Sequence, residues 1–288
     1  MARQRKATDA LDWVRLTLCV MLALVPAGAS ADEGFRINNR PEAVRAIWPS
    51  VYAFVCEGRG SVYVAAAFLV KRVELDPPET RRRARTDYYF VTAGHAIQEC
   101  DLPRKFLAAN INQPQFEPDG ITVARQPRKL KDVELVRLDD AYDLAVIKVQ
   151  ANASLAIGKP VDVGDACEGS LGHEVYAVGF PGVKLRGGLR GWHEVKRWSK
   201  GRNIGIGTAD FRGTSSRYFA STVDSLPGNS GGPVVDTEGR FVGVVAKGVA
   251  GADNGFRYDV NPQDPRDWQT FIVPCYGVRR LLSHAGLR

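Results

Sequence analysis

From Val51 onward the chain is written in short runs of β-branched and aromatic residues separated by turn residues, and that spacing limits the fold more than any other feature. The runs cover residues 51–56, 61–73, 88–92, 105–111, 121–125, 133–138 and 144–149, then 174–179, 189–198, 203–208, 218–223, 233–235, 241–247 and 269–273. No long helical pattern lies between them, so βαβ units are excluded and a sandwich or barrel architecture is expected. Residues 150–164 carry Asn, Ser, Gly and Pro and read as a linker between two halves of six or seven strands each. The divisions are therefore 32–160 and 161–288. Residues 276–284 place Val278, Leu281 and Leu282 at helical spacing and predict a C-terminal helix, and a short helix is expected around 41–47.

The N-terminus has a different character. Residues 16–25 are apolar apart from Thr17, with Arg3, Arg5, Lys6 and Arg15 before them and Ala29-Ser30-Ala31 after. A basic start, a short apolar run and an A-x-A site make residues 1–31 a secretory signal, cleaved after Ala31. The run falls short of the ~18 residues of a membrane span, so no stable membrane anchor is expected after cleavage. The mature protein is expected to be secreted or periplasmic and monomeric. With 44% hydrophobic and 25% charged residues, a mostly disordered chain is excluded. The formal net charge of +7 loses some of its excess with the signal, and what remains bears on solubility and encounter rather than on fold. Arg81-Arg82-Arg83-Ala84-Arg85 lies in an insertion with Pro77-Pro78, and no aromatic residue interleaves with it. It reads as a charged loop tip, and no nucleic-acid partner is expected. Residues 182–207, rich in Gly and Arg and carrying Trp192 and Trp198, read as an extended hairpin beside a substrate cleft. Setting aside Cys19 in the signal leaves Cys56, Cys100, Cys167 and Cys275, an even number that permits two disulfides in an oxidising compartment. No C-x-x-C pair suggests zinc; neither metal nor cofactor is expected.

The chemistry is concentrated in Pro227-Gly228-Asn229-Ser230-Gly231-Gly232-Pro233. Glycine weakens regular elements and is placed where backbone must turn or approach something closely. A nucleophilic serine needs both features, with its hydroxyl in a cleft and backbone N–H groups converging on the oxyanion. The G-x-S-x-G elbow shares these letters but requires a helix after the serine and a histidine later in the chain. Here a Val234-Val235 strand follows, and only His284 comes later, so that reading fails. The order His, Asp, Ser works. Val91-Thr92-Ala93-Gly94-His95 ends a strand with a histidine, and Tyr142-Asp143-Leu144-Ala145-Val146 starts one with an aspartate. Asp139 and Asp140 compete for the acid, but the apolar strand begins directly after Asp143. His173, His193 and His284 have no matching context.

These three motifs, in this order, resemble the chymotrypsin-like (trypsin-like) serine peptidases, specifically the bacterial secreted members near the V8-like and HtrA branches. The resemblance covers roughly residues 51–282. It implies two six-stranded antiparallel β-barrels with a C-terminal helix. It further implies His95, Asp143 and Ser230 as a triad, with Gly228 and Ser230 N–H groups as the oxyanion hole. It places Asp224 and Ser225 at the floor of the substrate pocket, and Val245, Ala246, Lys247 and Gly248 along its wall. A carboxylate at Asp224 would favour Arg or Lys before the scissile bond; small apolar residues are the alternative. Many family members have a disulfide near this histidine, which implies Cys56–Cys100 and leaves Cys167–Cys275, although four cysteines permit three connectivities. Asn229 replaces the aspartate that precedes the serine in activatable zymogens, so signal removal should be the only cleavage needed. The expected activity is that of a serine endopeptidase acting on protein or peptide substrates. The alternative is a non-catalytic module of the same fold that uses its basic surface to bind a partner.

Overall fold

The computed structural model describes residues 36, 38–58, 61–75, 85–98, 100, 106–107, 109–116, 123–130, 133–152, 158–164, 167, 171–181, 196–211, 214–248, 257–258 and 270–288. The signal segment, most of the arginine-rich insertion and the Trp192 part of the expected hairpin lie outside them. Eight strands come first: β1 (Val51–Gly58), β2 (Ser61–Glu74), β3 (Arg85–Ala93), β4 (Phe106–Leu107), β5 (Ala109–Phe116), β6 (Val123–Leu130), β7 (Val133–Asp139) and β8 (Leu144–Asn152). Their order in the sheet is β4-β7-β8-β3-β2-β1-β5-β6. A single residue separates β4 from β5, yet β4 pairs with β7 and β5 pairs with β1 at the other side. The run from Phe106 to Phe116 therefore joins the two sides, closing an antiparallel barrel of six strand positions with β6 hung outside on β5.

The second half contains β9 (Glu174–Gly179), β10 (Arg197–Phe211), β11 (Thr214–Ser221), β12 (Pro233–Asp236), β13 (Phe241–Gly248), β14 (Arg257–Tyr258) and β15 (Thr270–Pro274). Its order is β11-β15-β13-β12-β9-β10-β14, and a further β10–β11 pairing closes six of the strands into a ring. Strand β10 differs from the expectation of two strands separated near residues 199–202: it is continuous. Lys200 and Gly201 stay in the ladder with Tyr176 and Val175. Gly201 serves close approach rather than a turn, since a Cβ there would come 2.7 Å from the Val223 Cα. Among the described residues helices are few: α1 (Glu42–Ile47), a 3₁₀ turn (Trp48–Ser50), α2 (Gly94–Gln98) and α3 (Cys275–His284). Among the described residues no helix is long and apolar enough to cross a membrane.

Alternation along the strands sorts side chains into separate cores. In β8, Ala145, Ile147 and Val149 join Phe54, Leu69, Tyr88 and Phe90 inside the first barrel. Leu144 and Val146 point the other way, into a shared core with Phe68, Val91, Val178, Phe241, Val244 and the apolar face of α3. Phe68 and Phe241 meet there with ring centroids 5.4 Å apart. Both faces of these strands are buried, so they read as continuous apolar runs. Disulfides add two ties: Cys56 at the end of β1 to Cys100 after α2, and Cys167 to Cys275 at the start of α3, with Cα separations of 5.6 and 5.5 Å.

One buried charge stands out in this packing. Lys196, 2% exposed at the foot of β10, donates from Nζ to the Trp48 carbonyl at 2.6 Å. The rings of Trp48 and Phe180 lie 5.1 and 5.9 Å away. Burial pushes the ammonium down to about 7, and the nearby Arg40 charge pushes in the same direction. Between about pH 7 and the ordinary lysine value of about 10.4, the unfolded chain holds this proton and the folded chain does not. Lys196 therefore makes the fold gain stability as pH rises through that window. Lys196→Met should remove the contribution. Denaturant midpoints of parent and variant at pH 7, 8 and 9 should converge or cross as pH rises, by up to about 1.4 kcal/mol per unit.

Candidate active site

The His and Asp motifs meet because β3 and β8 are neighbours. Their ladder ends with Ala93 opposite Leu144, so the next residue on one side and the preceding residue on the other face each other. Gly94 N–H donates to the Asp143 carbonyl at 2.7 Å, and a Cβ at Gly94 would come 3.0 Å from Asp143 Oδ1. The chain then turns into α2, so His95 sits in the first turn of a short helix rather than on the strand itself. Its backbone N–H donates to Asp143 Oδ1 at 2.6 Å, and its ring Nδ1 lies 2.6 Å from Oδ2. The Asp143 side chain is 5% exposed and the imidazole 43%. One ring nitrogen is thus held by a desolvated carboxylate while the other end of the ring remains accessible. Asp143 has φ +53°, a left-handed conformation uncommon outside glycine. Asp139 and Asp140, the competing carboxylates, do other work: Asp139 Oδ1 accepts from the Ala141 and Tyr142 N–H groups, and Asp140 accepts from Gln98.

The serine loop lies between β11 and β12. Gly228 and Gly231 have φ +102° and +84°, which explains the glycines around the serine. Asn229 N–H donates to the Leu226 carbonyl and Gly232 N–H to that of Asn229, making a tight double turn. Gly231 N–H donates to Val245 O at 2.7 Å and Val245 N–H to Gly232 O at 2.9 Å, anchoring the loop on β13. The Ser230 carbonyl accepts from Ala66 N–H of β2 at 2.8 Å, which docks the loop on the first barrel. A Cβ at Gly231 would come 2.7 Å from the Ala93 nitrogen and 2.8 Å from the Thr92 hydroxyl. Ser230 therefore sits against the strand end that leads into His95. The structure brings His95, Asp143 and the Ser230 loop to one place.

Around the expected pocket, Asp224 is partly buried, and burial holds its carboxyl above the usual carboxylate range. Its carbonyl accepts from the Ser199 hydroxyl and the Asn229 amide. Ser225 beside it is partly exposed. Val245 and Ala246 are fully buried, Val245 inside the second barrel and Ala246 in the shared core. Along this strand the backbone, rather than these two side chains, is what a substrate could meet. Lys247 and Gly248 continue β13; the surroundings of the Lys247 side chain lie outside the described residues. His173 and His284 are exposed. Two residues that sequence reasoning passed over hold the site: Thr92, whose hydroxyl donates to Ala66 O at 2.7 Å, and Gly179, where a Cβ would come 2.6 Å from Asn229 Oδ1. A lone threonine and a lone glycine in strand-like runs give no signal of such roles.

Residues 82–244, more than half of the chain, match the trypsin-like peptidase domain family. The chain belongs to the trypsin-like serine peptidases. This peptidase also resembles the solved structure of an HtrA-type protease bound to a tripeptide, with a TM-score of 0.52 at 16% identity. The likeness covers 84% of this chain and 61% of the other, and at that identity it shows the fold. The chymotrypsin-like two-barrel architecture and C-terminal helix expected from the motifs are those of the structure.

Gly231 gives the sharpest test of the loop packing. Gly231→Ala should lower stability by more than about 1 kcal/mol, because alanine is strained at positive φ and its methyl would press on Ala93 and Thr92. Thermal or denaturant midpoints check this, with Gly239→Ala as the comparison: that position has φ +81°, but its nearest neighbour is 3.6 Å away.

Proposed function

We propose that this peptidase is an exported serine endopeptidase that cuts peptide bonds through Ser230, His95 and Asp143. The observation that carries the reading is the buried Asp143 carboxylate, which meets both the His95 backbone N–H and ring Nδ1 at 2.6 Å beside the docked serine loop. With Nδ1–H committed to Asp143, Nε2 is the nitrogen left to take the Ser230 proton as the hydroxyl attacks a carbonyl. The imidazolium then returns the proton to the leaving amine, and water resolves the acyl-enzyme by the same route in reverse. Asp143 keeps the tautomer and stabilises the cation. The N–H groups of Gly228 and Ser230 would receive the oxyanion, where one lost donor typically costs about 2.7–4 kcal/mol of barrier. In this reading residues 1–31 are the export signal, 32–160 carry His95 and Asp143, and 161–288 carry Ser230. The two disulfides and the absence of a membrane-spanning helix among the described residues are compatible with a secreted or periplasmic monomer.

Ser230→Ala should abolish turnover of casein while leaving the thermal midpoint nearly unchanged, and a fluorophosphonate should label the parent alone. Retained turnover in the variant sinks the assignment. Asp143→Asn should keep the fold and lose roughly 10⁴-fold in turnover, through the wrong histidine tautomer.

Specificity is proposed to rest on Asp224. Its half-buried carboxylate meets no side-chain partner among the described residues, and a substrate Arg or Lys would supply one. A site built around such a pair rejects side chains that leave the charge unmatched. Matched peptides carrying Arg, Val or Glu before the scissile bond should rank with Arg first. Asp224→Ser should erase that lead; a lead that survives the substitution would make Asp224 structural.

A further inference from the structure

The turn that presents Asp143 is gripped from the other half of the chain. Asp143 is held at a positive φ, and the residues before it, Asp139 to Tyr142, make the link between β7 and β8. From β11, the fully buried Tyr218 donates its hydroxyl to the Ala141 carbonyl at 3.3 Å, and its ring lies 6.4 Å from that of Tyr142. From α3, Arg280 Nε lies 3.5 Å from Asp139 Oδ2, and its guanidinium covers the Tyr142 ring 5.5 Å from the centroid. That Asp139 oxygen is buried and has no hydrogen-bond donor among the described residues, so Arg280 is the group that faces it. Tyr276 meets the same Tyr142 ring edge-on at 6.1 Å. At Gly277 a Cβ would come 3.1 Å from Tyr142 Cδ1, so α3 lies against the tyrosine with no room to spare. Helix α3 lies outside residues 82–244, the segment that matches the family.

A left-handed residue persists only where its surroundings over-determine it. The bonds inside the turn, from Asp139 Oδ1 to the Ala141 and Tyr142 N–H groups, shape residues 139–142 but do not set where Asp143 stands relative to His95. We infer that Tyr218 and Arg280 are positioning residues for Asp143, acting through Ala141, Tyr142 and Asp139, so that the second barrel and the C-terminal helix hold in place the His95–Asp143 geometry that the β3–β8 ladder sets up. The inference rests on the proposed triad. Neither residue touches the reacting atoms; each fixes the turn from which the carboxylate reaches the imidazole.

The test uses the full mature chain with four variants: Tyr218→Phe, Arg280→Ala, Arg280→Lys and Ser230→Ala. Turnover and KM on one peptide are measured separately across pH, together with the fluorophosphonate labelling rate. Tyr218→Phe and Arg280→Ala should each lower kcat by roughly tenfold, within the ~10²-fold that a small misplacement can cost, with KM changed less than about twofold. Arg280→Lys should recover part of the loss. The acidic limb of kcat/KM should move to lower pH, because a looser carboxylate supports the imidazolium less. A lower thermal midpoint with kcat and the acidic limb unchanged would overturn the inference while leaving the triad standing. Turnover retained by Ser230→Ala would overturn the triad reading itself, and the inference with it.

Discussion

Nine residue pairs join β3 to β8, and the place where this ladder stops puts His95 against Asp143. Had the register differed by one residue, every side chain on β8 would have changed face and the carboxylate would have pointed away from the histidine. The ladder runs one bond past its last pair, from Gly94 N–H to the Asp143 carbonyl, and there both chains leave the sheet. Asp143 leaves at φ +53°, a conformation that a short polar side chain tolerates far better than a β-branched one. Removing its carboxylate from water demands hydrogen bonds in exchange, and His95 supplies both: a backbone N–H to one oxygen and a ring nitrogen to the other.

Because the serine loop belongs to the other barrel, the site also depends on how the barrels join. They share a core in which Phe68, Val91, Leu144 and Val146 of the first pack with Val178, Phe241, Val244 and Val278 of the second half. On top of this apolar contact lie a few directional bonds, notably Ala66 N–H to the Ser230 carbonyl and Tyr218 to Ala141. The hydrogen bonds add direction to this close packing. Gly231 shows how tight that packing is, since its missing side chain makes room for Ala93 and Thr92. A buried lysine with no carboxylate beside it among the described residues, Lys196, costs stability.

Most of the strands could be read from residue types, and their bounds differ from the structure by a few residues. The misses have physical reasons. Ser199 to Arg202 looks like a break because it is polar and contains glycine, yet β9 pairs across it and Gly201 lets Val223 approach. Val245 and Ala246 look like pocket lining by their place after the serine, but alternation along a strand buried on both faces sends their side chains into two cores. His95 looks like a strand end because the apolar run stops there; the Asp143 oxygen that accepts its N–H starts a helical turn instead.

By itself, the sequence determined the all-β class, the terminal helix and the residue types of the His95, Asp143 and Ser230 motifs, since these depend on local pattern and on the chemistry of single side chains. Tertiary structure decided what local pattern cannot carry. It brought the Asp143 carboxylate to 2.6 Å from the His95 ring, and it closed the first barrel through the one-residue link between β4 and β5. It set Tyr218 and Arg280 against the turn before Asp143. These are contacts between residues dozens of positions apart. They form only when ladders, shared core and backbone turns are all in place, and no one segment encodes the distance between two others.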